Sequence, residues 1–281
     1  MIHKRKFQVR IYECDSLGHV NNAVYLKYLQ QSMLEAAGLG RAWVQHHEEI
    51  WVLRRMSLQY VKPAFFGDEL DVSTWVSDIS KASAIWQYTI YRGEELLLRG
   101  QAEWVWVNAL SRRPERVPDD FIQEVEKSSE VVLKPTNPPE KNVESEPFHW
   151  QHRVRRYELD VMQHVNFSGY LNWIEEAMFQ SFEHNGWGIE RMKQENFFMV
   201  QIRHESEYAA AARHGDLILG TSRSFWMGKV RGTWLHELHH AETGELLFRD
   251  YSTGAFLTLE GRPTRLPDQM MKDVTKGGSL D

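Results

Sequence analysis

The chain has little of three features that mark particular classes of protein. It carries one cysteine in 281 residues, so it can form neither an intramolecular disulfide nor a multi-cysteine zinc or iron–sulfur site. Lysine and arginine total 33 against 39 acidic residues, and the net charge of −6 gives no overall positive field for a nucleic acid or an anionic membrane. No apolar run approaches the roughly 18 residues of a membrane span. We therefore expect a cytoplasmic protein that binds neither nucleic acid nor membrane.

An internal repeat organises the sequence. Residues 9–35 align with residues 154–180 at an offset of 145, and 11 of the 27 aligned positions are identical. The similarity continues to matched endings at Arg113-Pro114 and Arg262-Pro263. Because two copies are too few for a solenoid, we predict a duplicated domain whose copies pair as two identical subunits would.

Composition and the repeat together predict the domain boundaries. The stretch at 134–147 combines prolines and charge with almost no apolar residues, as exposed linkers do. We predict a first domain at 1–130, a linker at 131–147, a second domain at 148–272 and a flexible tail at 273–281.

Apolar residues recur at helical spacing after the His-Val-Asn triplet of each copy. The pattern predicts one helix of about five turns per copy. Asn21 and Asn166 are suitable N-cap residues, and Gly38 and Gly186 are suitable stops.

The later part of each copy is typical of strands. Stretches rich in β-branched and aromatic residues at 84–92 and 95–107 flank a glycine-containing turn and predict an antiparallel hairpin, and the second copy repeats this with Gly244 in its turn. One long apolar helix followed by several strands indicates an antiparallel sheet folded around a buried helix. We therefore predict the α+β class.

The two copies share a motif that could carry chemistry, Tyr-Glu-x-Asp-x-x-x-His-Val-Asn. Its carboxylate could act as a general base or nucleophile, and its histidine and asparagine could orient water or substrate. Backbone N–H groups at the start of the helix, around Gly18-His19-Val20, could stabilise an oxyanion. A purely structural alternative is that the aspartate and asparagine cap the helix and that the histidine satisfies a buried backbone group. The candidate residues are Asp15, His19, Asn21, Asp160, His164 and Asn166.

The first copy resembles the signature of hotdog-fold thioesterases of the 4-hydroxybenzoyl-CoA thioesterase class. The matching positions are Asp15, His19, Val20, Asn21, Asn22, Tyr25, Tyr28 and Glu35. The whole chain resembles the tandem double-hotdog acyl-ACP thioesterases. This resemblance implies two hotdog domains, each an antiparallel sheet wrapped around a long central helix.

The resemblance also implies an activity. It implies hydrolysis of an acyl-CoA or acyl carrier protein (ACP) thioester to a carboxylic or fatty acid, with no cofactor and no metal. Whether the fused chain is a monomer or forms homo-oligomers stays open. The resemblance adds Glu35 to the catalytic candidates. The substrate-binding candidates are Gly18, Val20, Tyr25 and Tyr170.

The second copy departs from the family pattern. Met162 stands where the plant-type motif has asparagine, Phe167 replaces the next asparagine, and alanines at 209–212 occupy the region that supplies a later glutamate. The first copy keeps Gly18 and Glu35, so Asp15 is the first choice for the catalytic carboxylate and Asp160 the second.

Three alternatives stay open at this point. A hydratase or dehydratase would act on the same thioester without cleaving it, and a non-catalytic module would only bind it. The segment His236-Glu237-Leu238-His239-His240 matches the zinc pattern H-E-x-x-H, which works on a helix. The repeat places it on a strand, where residues four apart lie about 13 Å apart, too far to share one zinc ion.

Overall fold

The computed structural model describes residues 2–38, 48–125 and 127–280. The chain divides into two compact units, Met1–Pro135 and Thr136–Asp281, and the division falls inside the predicted linker. In the described ranges, no helix is long and apolar enough to cross a membrane.

The first unit is an antiparallel sheet with one long helix packed on it. Its strands are hydrogen-bonded in the order β1-β3-β4-β5-β2. A single 3-10 turn, Ile11–Glu13, precedes the long helix. In chain order the elements are β1 (His3–Gln8), α1 (Asn22–Ala36), β2 (Glu49–Tyr60), β3 (Glu69–Ile79), β4 (Ser83–Arg92), β5 (Glu95–Asn108) and α2 (Asp119–Glu124).

The second unit repeats this plan and, among the described residues, has one further short helix and a short strand. Its strands are paired in the order β11-β6-β8-β9-β10-β7, and a 3-10 turn at Arg156–Glu158 precedes its long helix. The elements are β6 (Phe148–Arg153), α3 (Phe167–His184), α4 (Ile189–Gln194), β7 (Phe198–Tyr208), β8 (Leu217–Met227), β9 (Arg231–His240), β10 (Leu246–Leu257), α5 (Asp268–Val274) and β11 (Gly278–Ser279).

The helix boundaries follow the signals in the sequence. The Asn21 side chain accepts from the Ala23 N–H and the Asn166 side chain accepts from the Ser168 N–H, so both asparagines cap their helices as predicted. Gly38 and Gly186 have positive φ just beyond the last turns. At 15 residues, α1 has about four turns, one fewer than predicted, whereas α3 has the expected five.

The predicted hairpins are confirmed as β4–β5 and β9–β10. Each long helix packs on its sheet through apolar residues, and in the first unit this contact needs a glycine. A Cβ atom at Gly100 of β5 would lie 3.0 Å from Leu58 and 3.8 Å from Leu29 of α1. The sheet and helix of the first unit therefore approach each other closely at this position.

The segment predicted as a tail, 273–281, takes part in the second unit. Its described residues include the end of α5 and β11, which pairs with β6. Gly278 donates to the Pro147 carbonyl and Leu280 to the His149 carbonyl, so backbone hydrogen bonds hold this segment to the sheet.

The faces beneath the two helices differ in polarity. In the second unit, β7 to β10 carry seven buried polar side chains on the face that includes Trp234, which packs against Phe182 of α3. The paired positions in the first unit are mostly apolar, with Leu58, Tyr88 and Gly100 in one row. The polar residues, which we call the buried polar cluster, are His204, Ser206, Ser222, Ser224, His236, Asp250 and Ser252.

The buried polar cluster contains one charged pair. His204 Nδ1 lies 2.8 Å from Asp250 Oδ2, and the Ser206 hydroxyl donates to Asp250 Oδ1 at 2.6 Å. Although burial disfavours both charges, their attraction lowers the pKa of Asp250 and raises the pKa of His204. Each of these shifts favours the charged form of its group.

His236 belongs to the zinc-like segment, and its place on β9 confirms that this segment is a strand. Its two ring nitrogens lie 2.8 Å from Ser222 Oγ and 2.9 Å from Ser252 Oγ. Burial lowers the pKa of His236 to about 4. This imidazole is a neutral member of a hydrogen-bonded core.

We expect His236 to make the second unit less stable in acid. The unfolded chain binds a proton at His236 below pH about 6.5, whereas the folded chain does so only near pH 4, so stability falls as the pH drops between these values. Across this pH range, the free energy of unfolding should fall by about 3 kcal/mol. Urea unfolding between pH 4 and 7 measures it. His236→Tyr, which copies Tyr88 of the first unit, should flatten this dependence; an unchanged pH dependence would contradict the assignment.

Candidate active site

In both units the shared motif forms a closed loop between the 3-10 turn and the long helix. The Asp15 N–H donates to the His19 carbonyl at 2.7 Å, and the Gly18 N–H donates back to the Asp15 carbonyl at 3.0 Å. In the second unit, Asp160 and His164 are joined in the same way at 2.8 Å. The two copies therefore place the carboxylate and the histidine at the ends of the same small loop.

The motif carboxylates are held by loop N–H groups. Oδ1 of Asp15 accepts from the N–H of Leu17 at 2.8 Å and from that of His19 at 3.2 Å. Oδ2 of Asp15 has no hydrogen-bond partner in the described part of the chain. Oδ1 of Asp160 accepts from the Met162 N–H at 2.8 Å, and the carboxyl also accepts from the His164 N–H. One oxygen thus fixes the orientation of the carboxylate, which is a useful arrangement for a general base.

The surroundings of the Asp160 carboxyl affect its titration. Burial raises the pKa of the Asp160 carboxyl, and the His164 side chain and the loop N–H groups offset only part of this effect. A raised pKa makes a carboxylate a better proton acceptor near neutral pH.

The expected oxyanion donors are already used. The N–H groups of Gly18 and His19 bond within the loop, and the Val20 N–H donates to the Ala64 carbonyl at 2.9 Å. The same holds for Gln163, His164 and Val165 in the second unit. The prediction for these N–H groups is wrong because the loop needs them to close.

Tyr25 and Tyr170, predicted to bind substrate, are buried instead. The hydroxyl oxygen of Tyr25 accepts from the Ala64 N–H, and that of Tyr170 accepts from the Ala212 N–H, each at 2.9 Å. Burial raises the pKa of Tyr25 to about 12 and raises the pKa of Tyr170. With Val20, which is also buried, these tyrosines position the loop that lies beside the motif.

Glu35 is not brought to the motif. It lies at the other end of α1 from Asn22, about 20 Å along the helix axis. Its carboxylate forms an ion pair with Arg5 of β1. Within the first unit, the structure therefore places Glu35 at the contact between α1 and β1 and not beside Asp15, and its catalytic role stays a prediction.

The motif glutamates were not given a role by sequence reasoning. Glu13 Oε2 accepts from the Tyr28 hydroxyl, and Glu158 Oε1 accepts from the Trp173 ring N–H, both at 2.8 Å. These bonds tie each loop to its own helix. Their presence at the same position of both copies was the signal that could have found them.

Gly18 and Gln163 occupy the same strained position of the two loops, with φ of 81° and 60°. A Cβ at Gly18 would meet no atom within 4 Å, so Gly18→Ala adds only the left-handed backbone penalty. We expect it to lower the free energy of unfolding by about 1 kcal/mol, measured by urea denaturation. Gln163→Gly is the matched control and should change stability by less and in the opposite direction. If Gln163→Gly lowered the free energy of unfolding, the left-handed backbone of Gln163 would not be a source of strain.

The segment after the second strand of each unit completes the surface around the motif. His19 forms an antiparallel bridge with Phe65, and their rings lie 5.2 Å apart. His164 forms the matching bridge with Arg213. The two candidate sites therefore share a backbone frame and differ in the side chains at its rim.

Family models match both units. Residues 1–125 match the acyl-ACP thioesterase N-terminal domain, and residues 154–274 match the thioesterase-like superfamily. A chloroplastic acyl-[acyl-carrier-protein] hydrolase of Cuphea viscosissima is 27% identical over 196 residues, which is 63% of this chain and 47% of that protein. A chloroplastic palmitoyl-acyl carrier protein thioesterase of Arabidopsis thaliana is 28% identical over 194 residues, with the same coverage. The chain spans about half the length of these curated relatives.

Solved structures resemble the chain over most of its length. A putative oleoyl thioesterase of Lactobacillus plantarum has a TM-score of 0.73 at 15% identity and covers 95% of this chain and 98% of that one. A 12:0-ACP thioesterase of Umbellularia californica has a TM-score of 0.69 at 18% identity and covers 90% and 93%. These similarities confirm the predicted fold of two tandem hotdog domains.

Proposed function

We propose that the chain, whose two units match thioesterase family models, hydrolyses acyl thioesters and releases a carboxylic or fatty acid. One observation carries this proposal: a carboxylate held by loop N–H groups and joined to a histidine at the start of a buried helix, repeated in both units. Catalysis by this loop needs no metal or cofactor.

The structural data favour Asp160 over Asp15 as the general base, in contrast to the order favoured by the sequence. Burial raises the pKa of Asp160, which suits it to accept a proton. Its carboxylate would take a proton from water, and the resulting hydroxide would add to the thioester carbonyl. Collapse of the tetrahedral intermediate would break the C–S bond, leaving the acid and a thiol that takes up the proton.

The histidine is our candidate donor to the carbonyl oxygen. The backbone N–H and carbonyl groups of His164 both bond within the loop, so only its imidazole is left to reach a reactant. Asn166 acts mainly through its helix cap, which fixes where the loop ends. His19 and Asn21 would have the same functions in the first unit.

We propose an acyl carrier protein thioester as the preferred substrate, in a cytoplasmic setting. The similar plant proteins are an acyl-[acyl-carrier-protein] hydrolase and a palmitoyl-acyl carrier protein thioesterase, which supports this carrier. The single cysteine is compatible with a reducing compartment. Association of fused chains into homo-oligomers stays part of the proposal.

Thiol release tests the proposal. Purified protein is assayed with acyl-ACP and acyl-CoA of several chain lengths, and we expect release of free thiol with acyl-ACP preferred. A change in the acyl double bonds without thiol release would instead identify a hydratase or dehydratase. Tight binding without either reaction would identify a binding module.

A further inference from the structure

The surfaces around the two motif loops differ in charge although their backbones match. Four positions of the first unit that are apolar or uncharged are cationic or titratable in the second. Gln8, Ile11, Phe65 and Phe66 correspond to Arg153, Arg156, Arg213 and His214. The chain carries a net charge of −6, so this local reversal is not a consequence of composition.

The backbone brings these four positions together. Val154 and the turn at 213–216 exchange two hydrogen bonds, Val154 N–H to the Asp216 carbonyl at 2.9 Å and Gly215 N–H to the Val154 carbonyl at 3.1 Å. The Arg153 guanidinium donates to the Gly215 carbonyl at 2.8 Å. Since Arg213 bridges to His164, the cationic positions border the second motif loop.

The arginines of this surface are exposed and not neutralised. Arg156 and Arg213 have no side-chain partner among the described residues, and Arg155 donates only to the Tyr157 hydroxyl. We call Arg153, Arg155, Arg156 and Arg213 the arginine rim.

The first unit shows the opposite arrangement. The cations beside its matching turn, Lys62 and Arg92, both pair with Glu95, and Arg92 also binds Asp68 at 2.6 Å. The exposed large apolar residues there include Ile11, Phe65 and Phe66. Arg10 of the first unit is exposed like its counterpart Arg155 and likewise donates to a tyrosine hydroxyl, that of Tyr12. The arginines at 153, 156 and 213 are therefore the part of the rim that the first unit does not repeat.

We infer that the arginine rim is the docking surface for an acidic acyl carrier protein and delivers the thioester to the loop of Asp160 and His164. This inference rests on the proposed function, and it identifies the loop beside which the carrier binds. Unpaired arginines at a rim attract an acidic protein surface over several ångströms, so they raise the rate of encounter and fix the orientation of docking. The thioester arm of the docked carrier then needs to reach only the adjacent loop.

The test compares two triple variants of equal charge change. Arg153→Gln, Arg156→Gln and Arg213→Gln together remove the rim, and Arg262→Gln, Arg265→Gln and Lys229→Gln remove three exposed cations elsewhere in the second unit. Binding of a purified bacterial acyl carrier protein is titrated at low salt and at about 0.5 M salt. Thiol release from acyl-ACP, acyl-CoA and a short acyl-pantetheine is measured in parallel.

We expect the rim variant to bind the carrier about tenfold more weakly at low salt, with the difference lost at high salt. KM for acyl-ACP should rise by a similar factor while kcat and the turnover of acyl-pantetheine stay unchanged. A rim variant with lysine at the three positions should restore binding.

Three results would overturn the inference. The rim and control variants could bind the carrier equally well, or the rim variant could show a KM increase with acyl-CoA alone. As a third result, the rim variant could turn over acyl-pantetheine more slowly than the wild type. The first would show that the rim does not bind the carrier. The second would assign it to the phosphates of coenzyme A, and the third to the integrity of the loop. If the wild type hydrolyses no thioester, the proposed function fails, and the binding titration still decides whether the rim docks the carrier.

Discussion

Asp160→Asn is expected to lower kcat for acyl thioester hydrolysis by about 100- to 10,000-fold, the usual contribution of a general base. Asparagine keeps an oxygen that can accept from the Met162 and His164 N–H groups, so the loop should keep its shape. Only the ability to accept a proton is lost. Steady-state thiol release measures the effect, with circular dichroism and a melting curve as controls for folding.

Asp15→Asn is the matched variant in the first loop, and we expect it to lower kcat less than tenfold. The pH profile gives a second readout. Because burial raises the pKa of Asp160, and because the base must be ionised, kcat/KM should fall on the acid side at a pH above the ordinary range of aspartate. A large loss with Asp15→Asn and a small one with Asp160→Asn would transfer the proposed chemistry to the first unit.

Asp250→Ala is expected to lower the stability of the second unit by about 3–5 kcal/mol. It removes the partner of His204 and the acceptor of the Ser206 hydroxyl, and both groups stay buried. Urea denaturation followed by tryptophan fluorescence measures the change. A loss below about 1 kcal/mol would show that the buried polar cluster is not held together by this carboxylate.

The first unit provides the design of a control. The positions of His204, Ser206 and Asp250 correspond to Met56, Leu58 and Gly100, which fill the same place with apolar packing. Replacing all three with the residues of the first unit removes the charges together, and such exchanges are often neutral or stabilising. The triple variant should therefore be more stable than Asp250→Ala.

Local signals predicted the fold well because they act over a few residues. Asn21 and Asn166 cap their helices through the next turn, and glycine-containing turns of two and five residues close the hairpins β4–β5 and β9–β10. The strand position of His236 followed from the repeat alone. These features depend on backbone geometry that the sequence carries locally.

The site was less predictable because its roles depend on contacts distant in sequence. The Val20 N–H is taken by Ala64 and the Tyr25 hydroxyl by the same residue, 39 or more positions away. Glu35 matched a family position, yet the length of α1 carries it away from Asp15. A family pattern identifies such residues, but it does not show which groups they contact in the folded chain.

The differences between the copies are visible in the sequence itself. Both the buried polar cluster and the arginine rim consist of positions at which the two copies carry different residues. Counting the identical positions does not reveal them. Leu58 against Ser206 and Phe65 against Arg213 are examples. In a duplicated chain, the shared residues predict the fold and the divergent ones indicate how the two units have specialised.

Single-turnover thiol release from a palmitoyl-acyl carrier protein tests the central claim most directly, with the wild type compared with the Asp15→Asn, Asp160→Asn double variant. We predict that the wild type releases one thiol for each fatty acid formed and that the double variant, folded and still able to bind the carrier, releases almost none. Equal release by the double variant would contradict catalysis by the motif carboxylates.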